Sequence, residues 1–242
     1  MAKTIAVWGA PGVGKTTLAT KLAEVIHDRR HSTAVVLYAD MDIPALPSLF
    51  PNYTKKELYS VGVPLSKADM TKEDVMKQIV TVRGKEKLGF LGFTDGENRY
   101  SYPRFDEEKV GELVSILLRN AKYVILDCTS NLDNPISAYG VAHADEVIRL
   151  FSPTLKSICW QSSQLPLYAD PAYRLERQKN GLNTTEELFM PVEEAKAHIP
   201  DVKFCIPYSR TVRQQMLDGQ LWNDTKDLRF EKEIQRAAGT VI

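Results

Sequence analysis

Gly9-Ala10-Pro11-Gly12-Val13-Gly14-Lys15-Thr16 decides how the rest of this chain is read. It matches G-x-x-x-x-G-K-[ST], the phosphate-binding loop or Walker A pattern. A short apolar run, residues 4–8 (TIAVW), leads into its first glycine, and Leu18, Leu22, Val25 and Ile26 follow at helical spacing. Strand, glycine-rich turn and helix form the context in which the pattern has chemical meaning. Glycine lets the backbone turn tightly, so that several amide N–H groups point inward at phosphate oxygens. The helix opening beside Lys15 adds the positive end of its dipole. Gly9, Pro11, Gly12, Val13, Gly14, Lys15, Thr16 and Thr17 are therefore the candidate nucleotide-binding residues. Lys15 would reach the β- and γ-phosphates, and Thr16 would offer its hydroxyl to Mg²⁺. The glycine spacing does not fit G-x-G-x-x-G, so a Rossmann-type dinucleotide site is the weaker reading.

Outward from the loop, apolar runs alternate with helical patterns. Ala34–Asp40 (AVVLYAD), Lys122–Asp127 (KYVILD) and Glu146–Phe151 (EVIRLF) read as buried parallel strands, and a shorter run, Lys203–Ile206, ends at Pro207. Helical spacing covers Thr16–Asp28, Phe105–Asn120, Leu155–Leu167, Val192–Ile199 and Thr211–Leu217. This alternation predicts an α/β fold: a mostly parallel sheet with helices on both faces, of the P-loop NTPase type. Residues 44–104 carry Pro44, Pro47, Pro51, Pro64 and Pro103 and are the least regular part. They read as an elaboration over the sheet, with a helix near Lys72–Val82 and a strand at Leu88–Phe93. No linker-like stretch divides the chain, so residues 1–242 are expected to form a single domain.

Composition narrows the function classes. The 242 residues are 43% hydrophobic and 26% charged, with 31 basic and 31 acidic residues. These proportions exclude disordered, collagenous and coiled-coil chains. A formal net charge of zero disfavours a globally electrostatic nucleic-acid binder. Cys128, Cys159 and Cys205 are scattered and odd in number, which fits reduced thiols rather than a disulfide frame or metal site. No basic leader with a cleavage site and no run of about 18 apolar residues is seen. The expectation is a cytoplasmic protein.

A phosphate cradle needs metal ligands and a group that positions water. Asp127 ends KYVILD in the manner of a Walker B strand, and functional groups collect at the carboxyl ends of parallel strands. Asp40 and Asp42 follow AVVLYA with alternating spacing, so that both can face one side of an extended stretch. The competing reading for each is an Asp that terminates a strand and caps the next loop. Asp127, Asp40 and Asp42, with Thr16 and Lys15, are thus the candidates for metal binding and catalysis: Thr16, Asp127 and Asp40 as metal ligands, Lys15 at the phosphates, and Asp42 in a role that local spacing leaves open.

WGAPGVGKTTLATKLA, VVLYADMDI, YVILDCTSNLDN, ADEVI and FCIPYSRTVRQQMLDGQL occur in this order. In that order they resemble the landmarks of the MinD/ParA-type P-loop ATPases, a group that positions or partitions cellular cargo and includes relatives acting in pilus assembly. The resemblance spans nearly the whole chain outside residues 44–104. It implies an ATPase switch with ATP and Mg²⁺ as cofactors, a nucleotide-dependent homodimer and a protein partner; slow hydrolysis is expected from the departure at Ala10 and Pro11. By position, Asp42 resembles the switch I aspartate that activates the attacking water, and Asp127 the Walker B aspartate. Cys128–Asn134 matches switch II, Ile206-Pro207-Tyr208 the segment beside the adenine, and Asn183 a base-reading Asn. One departure stands out. The family's loop usually reads K-G-G-x-G-K-T, with a first lysine that reaches the partner's nucleotide; here those positions hold Ala10 and Pro11. The lysine-dependent dimer is thereby in question.

Two other readings use the same scaffold. One is a small-molecule or nucleoside kinase with its acceptor over residues 44–104 and Arg174 and Arg177 as lid arginines. The other is a nucleotide-binding scaffold that does not hydrolyse. Residues 226–242 carry an apolar stripe (Phe230, Ile234, Ala237, Ala238, Val241) that reads as packing in preference to membrane contact. Residues 83–87 read as a solvated turn, and Tyr100 and Tyr102, beside Arg99 and Arg104, as loop aromatics rather than a nucleic-acid platform. His143 has no evident catalytic partner, and Trp160 and Trp222 read as packing residues.

Overall fold

The apolar run before the glycine loop is the central strand of the molecule. β1 (Lys3–Gly9) is buried along nearly its whole length. Ile5 and Val7 enter one apolar cluster, Ala6 and Trp8 another. Successive side chains leave a strand on opposite faces, so a strand apolar at every position needs a covering layer on each side. This computed structural model describes residues 2–53, 57–187 and 189–242, and both layers are helical.

After β1 come α1 (Lys15–Arg30), β2 (Ala34–Tyr38), the short helices α2 (Leu46–Leu49), α3 (Gly62–Leu65) and α4 (Lys72–Met76), and strands β3 (Val80–Val82) and β4 (Lys85–Leu91). Next are α5 (Glu107–Leu118), β5 (Tyr123–Asp127), α6 (Pro135–His143), β6 (Glu146–Phe151) and α7 (Leu155–Gln164). The chain ends with β7 (Lys179–Asn183), α8 (Val192–His198), β8 (Val202–Ile206), α9 (Arg210–Leu217) and α10 (Leu228–Gly239). Among the described residues the strands form one eight-stranded sheet, ordered β3-β4-β2-β5-β1-β6-β7-β8. Every pairing is parallel except β3–β4. From β1 the chain builds one half of the sheet, and after β5 it crosses to build the other. Strand order reverses at β1, and in such sheets the ligand crevice lies beyond the carboxyl ends of the strands at that reversal.

α1 and α10 cover one face, through Leu18, Leu22, Ile26, Phe230, Ile234 and Ala237 against Ile5, Val7, Val36 and Ile125. α5 and α6 cover the other, through Val110, Leu113, Leu117, Ile136 and Val141 against Ala6, Trp8, Leu37 and Leu126. Each fully buried side chain of this size contributes about 1.5–3 kcal/mol. The stripe of α10 is thus occupied by α1 and the sheet, which agrees with packing. No helix among the described residues is long and apolar enough to cross a membrane.

Several boundaries depart from the sequence expectation, each for a local reason. The helix expected over 72–82 stops at Met76, and Val80–Val82 turns into the antiparallel β3–β4 hairpin through Gly84, at φ +84°. β4 pairs with β2, so part of the irregular stretch 44–104 belongs to the sheet itself. Arg83 and Gly84 form an exposed turn, as expected, and Glu86 and Lys87 are exposed beside it; Lys85 departs, its Nζ bonding Asp28 at 2.8 Å and Asp224 at 2.6 Å. α7 ends at Gln164 and continues as a 3₁₀ turn, because Pro166 has no N–H for the ladder. β7 was not among the predicted strands. The polar side chain of Asn180 weakens its strand signal, yet Asn180 is buried and satisfied by Arg149 Nε at 2.9 Å and the Pro200 carbonyl at 2.6 Å.

Candidate nucleotide-binding site

The glycine loop is held by close backbone approach on two sides. At Gly9, with φ +139°, a Cβ would stand 2.0 Å from the Leu150 carbonyl oxygen on β6. At Gly14, with φ +85°, it would stand 2.5 Å from Asn183 Nδ2. L side chains rarely adopt either conformation. α1 then starts without a side-chain cap and without an acidic residue in its first turn. Its first amides have no intrahelical partner, and its positive dipole end is not neutralised, which is the arrangement that binds anions.

Lys15 lies across the loop. Its Nζ donates to the Ala10 carbonyl at 3.0 Å, to Ser130 Oγ at 2.7 Å and to the Gly9 carbonyl at 3.5 Å. Burial lowers its pKa, opposed by the nearby Asp127 charge. Thr16 Oγ1 donates to Asp127 Oδ2 at 2.6 Å. The register of β1 with β5 sets Val7 opposite Asp127, so the loop and this carboxylate share one sheet edge. Asp127 Oδ1 is buried with no hydrogen-bond partner, and burial pushes the carboxyl up to about 7. A hydroxyl beside an orphaned carboxylate oxygen is a hard-oxygen donor set, and it fits Mg²⁺.

Asp40 and Asp42 separate in their tasks. Asp40 Oδ1 accepts from the backbone N–H of Asp42 and of Ile43, both at 2.9 Å, and so caps the loop after β2. Its charge still reaches the buried pair, raising Asp127 and opposing the fall at Lys15. Asp42 is exposed and accepts both arms of the Arg99 guanidinium, Nε at 2.9 Å. That hydrogen bonding holds the Asp42 carboxyl below the usual carboxylate range. Arg99 was read from the sequence only as a neighbour of aromatic residues; a pairing across 57 positions leaves no mark in local spacing. Asp42, Arg99 and Ser130 line one cavity of about 730 Å³, together with Tyr100 and Arg104.

Residues 128–134 tie the ends of three strands together. Cys128 N–H donates to the Val7 carbonyl at 2.9 Å, and Asn134 Nδ2 donates to the Ala39 carbonyl at 2.7 Å. Asn134 also caps α6 through Ser137 N–H at 3.0 Å. On the other side of the loop, Asn183 Nδ2 donates to the Val13 carbonyl at 2.9 Å. Asn183 stands opposite Ile206 in the sheet, so Asn183 and Pro207 arrive together beside the loop. Thr184 locks this edge, donating to the Ile206 carbonyl at 3.1 Å and accepting from Tyr208 N–H at 2.9 Å.

Three sequence candidates lie elsewhere. Arg174 donates to the carbonyls of Ala142 and Ala144, at 3.1 and 2.8 Å, closing the end of α6. It shares a cavity with Arg177 and Glu146, the first residue of β6, at the sheet edge opposite the glycine loop. Neither arginine is placed as a lid. His143 faces Tyr139 and Glu107.

Ala10 is 1% exposed and belongs to the apolar cluster beneath the loop. Its N–H donates to the Leu150 carbonyl at 3.2 Å. Ala10→Lys is therefore expected to place an ammonium group in the core instead of presenting it to a second nucleotide. A loss of about 2 kcal/mol or more follows from overpacking and desolvation. Thermal unfolding should show a lowered Tm, and single-turnover assays should show no gain in hydrolysis.

No family model and no curated protein matches this chain. Solved structures do. A ParA-family ATPase from Chlorobium tepidum TLS matches with a TM-score of 0.80 and 16% identity, over 98% of this chain and 97% of that one. The septum site-determining protein MinD of Pyrococcus horikoshii OT3, complexed with Mg-ADP, matches with a TM-score of 0.72 and 17% identity, over 98% and 95%. The MinC:MinD cell division protein complex of Aquifex aeolicus matches with a TM-score of 0.75 and 16% identity, over 98% and 94%. The chain has the fold of the MinD/ParA-type P-loop ATPases.

Proposed function

We propose that this chain, built on the fold of MinD- and ParA-family ATPases, is a Mg-dependent, ATP-binding molecular switch. It hydrolyses ATP slowly and acts in the cytoplasm, through a nucleotide-dependent homodimer and a protein partner, in positioning, partition or pilus assembly. One observation carries this reading. The Thr16 hydroxyl and Asp127 meet at 2.6 Å with a second carboxylate oxygen unpartnered, at the end of β5, the strand paired with the one that feeds the glycine loop.

The geometry supports the following division of labour. The loop amides and the α1 terminus hold the phosphates. Lys15 exchanges the Ala10 carbonyl and Ser130 for β- and γ-phosphate oxygens. Thr16 and Asp127 would hold Mg²⁺, which supplies charge neutralisation at those oxygens. Asn183 and Pro207 border the base. Asp42 orients the attacking water. The water oxygen bonds to the γ-phosphorus as the bond to the bridging oxygen breaks; the electron pair stays on ADP, and the water proton leaves with phosphate or solvent. ATP then holds residues 40–43 and 128–134 in one arrangement and hydrolysis releases them.

Asp42→Ala isolates the water-positioning role. A group that acts mainly in the transition state affects turnover and not binding. The variant should bind Mg-ATP at least as tightly as wild type and hydrolyse it about 10²-fold more slowly. Normal single-turnover hydrolysis would remove Asp42 from the mechanism.

A second reading, phosphoryl transfer to a small acceptor, keeps one supporting observation: the 730 Å³ cavity beside Ser130. Calorimetry with Mg-ATP and Mg-ADP, phosphate release with and without candidate acceptors, and gel filtration in each nucleotide test the whole proposal. Phosphate release into water with an ATP-specific shift in size supports the switch. Release only with an acceptor supports the kinase, and binding without release a scaffold that does not hydrolyse.

A further inference from the structure

The glycine loop, Gly9–Thr16, carries a single cation, Lys15, and its Ala10 is buried, so further positive charge for the γ-phosphate has to come from outside the loop. Among the described residues lining the cavity that opens at Ser130, the cations are Arg99 and Arg104. Ser130 takes the Lys15 ammonium at 2.7 Å, so this cavity begins where the γ-phosphate end of the cradle lies. Arg99 is the better placed of the two, since it already grips Asp42, the candidate water-positioning residue, with two arms.

The Arg99–Asp42 pair is built to be exchanged. Both side chains are more than half exposed, 57% and 54%, so water and salt screen the pair. A guanidinium fork matches phosphate oxygens as well as it matches a carboxylate. The backbone under Arg99, by contrast, is fixed. Glu97 Oε2 accepts from Ser60 Oγ at 2.6 Å and Thr94 N–H at 2.7 Å, and Glu97 Oε1 accepts from the Tyr102 hydroxyl. Asn98 N–H donates to Ser101 Oγ at 2.9 Å, Ser101 N–H returns a bond to the Asn98 carbonyl at 2.9 Å, and Tyr100 N–H donates to Asn98 Oδ1 at 2.9 Å. The turn is a rigid support for a long, exposed side chain.

We infer that Arg99 is the γ-phosphate cation of this protein, acting within its own chain. With ATP bound, the guanidinium leaves Asp42 for γ-phosphate oxygens. One movement then supplies positive charge to the transition state and frees the Asp42 carboxylate for the water. With ADP bound, Arg99 returns to Asp42 and the water site closes. This rests on ATP occupying the glycine loop.

Calorimetry and single-turnover hydrolysis of wild type, Arg99→Ala, Arg99→Lys and Asp42→Ala test it. Arg99→Ala should bind Mg-ADP like wild type, bind Mg-ATP about tenfold more weakly, and hydrolyse about 10²–10³-fold more slowly. Arg99→Lys should recover part of both losses, because it keeps the charge without the fork. Asp42→Ala, lacking the rival for Arg99, should bind Mg-ATP at least as tightly as wild type. Wild-type hydrolysis by Arg99→Ala would overturn the inference while leaving the switch reading intact. So would an equal loss of ATP and ADP affinity, the mark of a merely structural residue. Failure of the wild-type protein to bind ATP would instead overturn the switch reading, and the role of Arg99 with it.

Discussion

Lys15→Ala should abolish tight ATP binding while the protein stays folded. The Lys15 ammonium is held by the Ala10 carbonyl and Ser130 Oγ, at 3.0 and 2.7 Å, in a half-buried position at the loop. Those partners are neutral, and a triphosphate offers charged oxygens in their place. Hydrogen bonds to charged groups contribute about 1.5–3 kcal/mol each. Losing two of them raises the Kd by roughly two to four orders of magnitude. The loop itself is anchored elsewhere, by the close approach of Gly9 to β6 and the bond from Asn183 to Val13. The thermal midpoint without nucleotide should therefore change by only a few degrees, and stabilisation by added ATP should vanish. Equal ATP affinity in wild type and variant by calorimetry would refute the assignment of the loop.

Asp127→Asn should separate nucleotide binding from its dependence on Mg²⁺. The carboxylate sits at the end of β5 with one oxygen engaged by Thr16 and the other unpartnered. Replacing it with an amide keeps the volume and an acceptor for the Thr16 hydroxyl, and removes the negative charge that would face the cation. Affinity for ATP without metal should fall little, whereas the enhancement by Mg²⁺ should drop by about tenfold or more, the loss expected when a hard charged ligand becomes neutral. Isothermal titrations at several Mg²⁺ concentrations read this directly. An unchanged Mg²⁺ titration would mean that Asp127 only terminates its strand.

These two residues belong to the part of the site that local sequence carries. G-x-x-x-x-G-K-T needs only contiguous backbone geometry and one long side chain, so its meaning survives without knowledge of the fold. Strand-ending aspartates are legible for a similar reason: parallel sheets bring carboxyl ends of strands to one edge, and an apolar run ending in Asp places that residue there. The β–α alternation, the burial of β1 and the packing of α10 also follow from hydropathy period alone, because burial on one or two faces is written directly into side-chain order.

What tertiary structure decided lies between segments distant in the chain. β7 is a strand because Arg149 and the Pro200 carbonyl satisfy Asn180, a residue that by itself favours turns. Val80–Val82 left its predicted helix to pair with β4. Arg174 and Arg177 fell at the far edge of the sheet. Ala10 proved to be a core residue as well as a missing lysine. The pairing of Arg99 with Asp42 joins two loops whose spacing carries no period. Residue order encodes burial and local turns strongly because each residue feels them by itself. It encodes pairings between exposed loops weakly, because they depend on where two rigid supports bring their side chains.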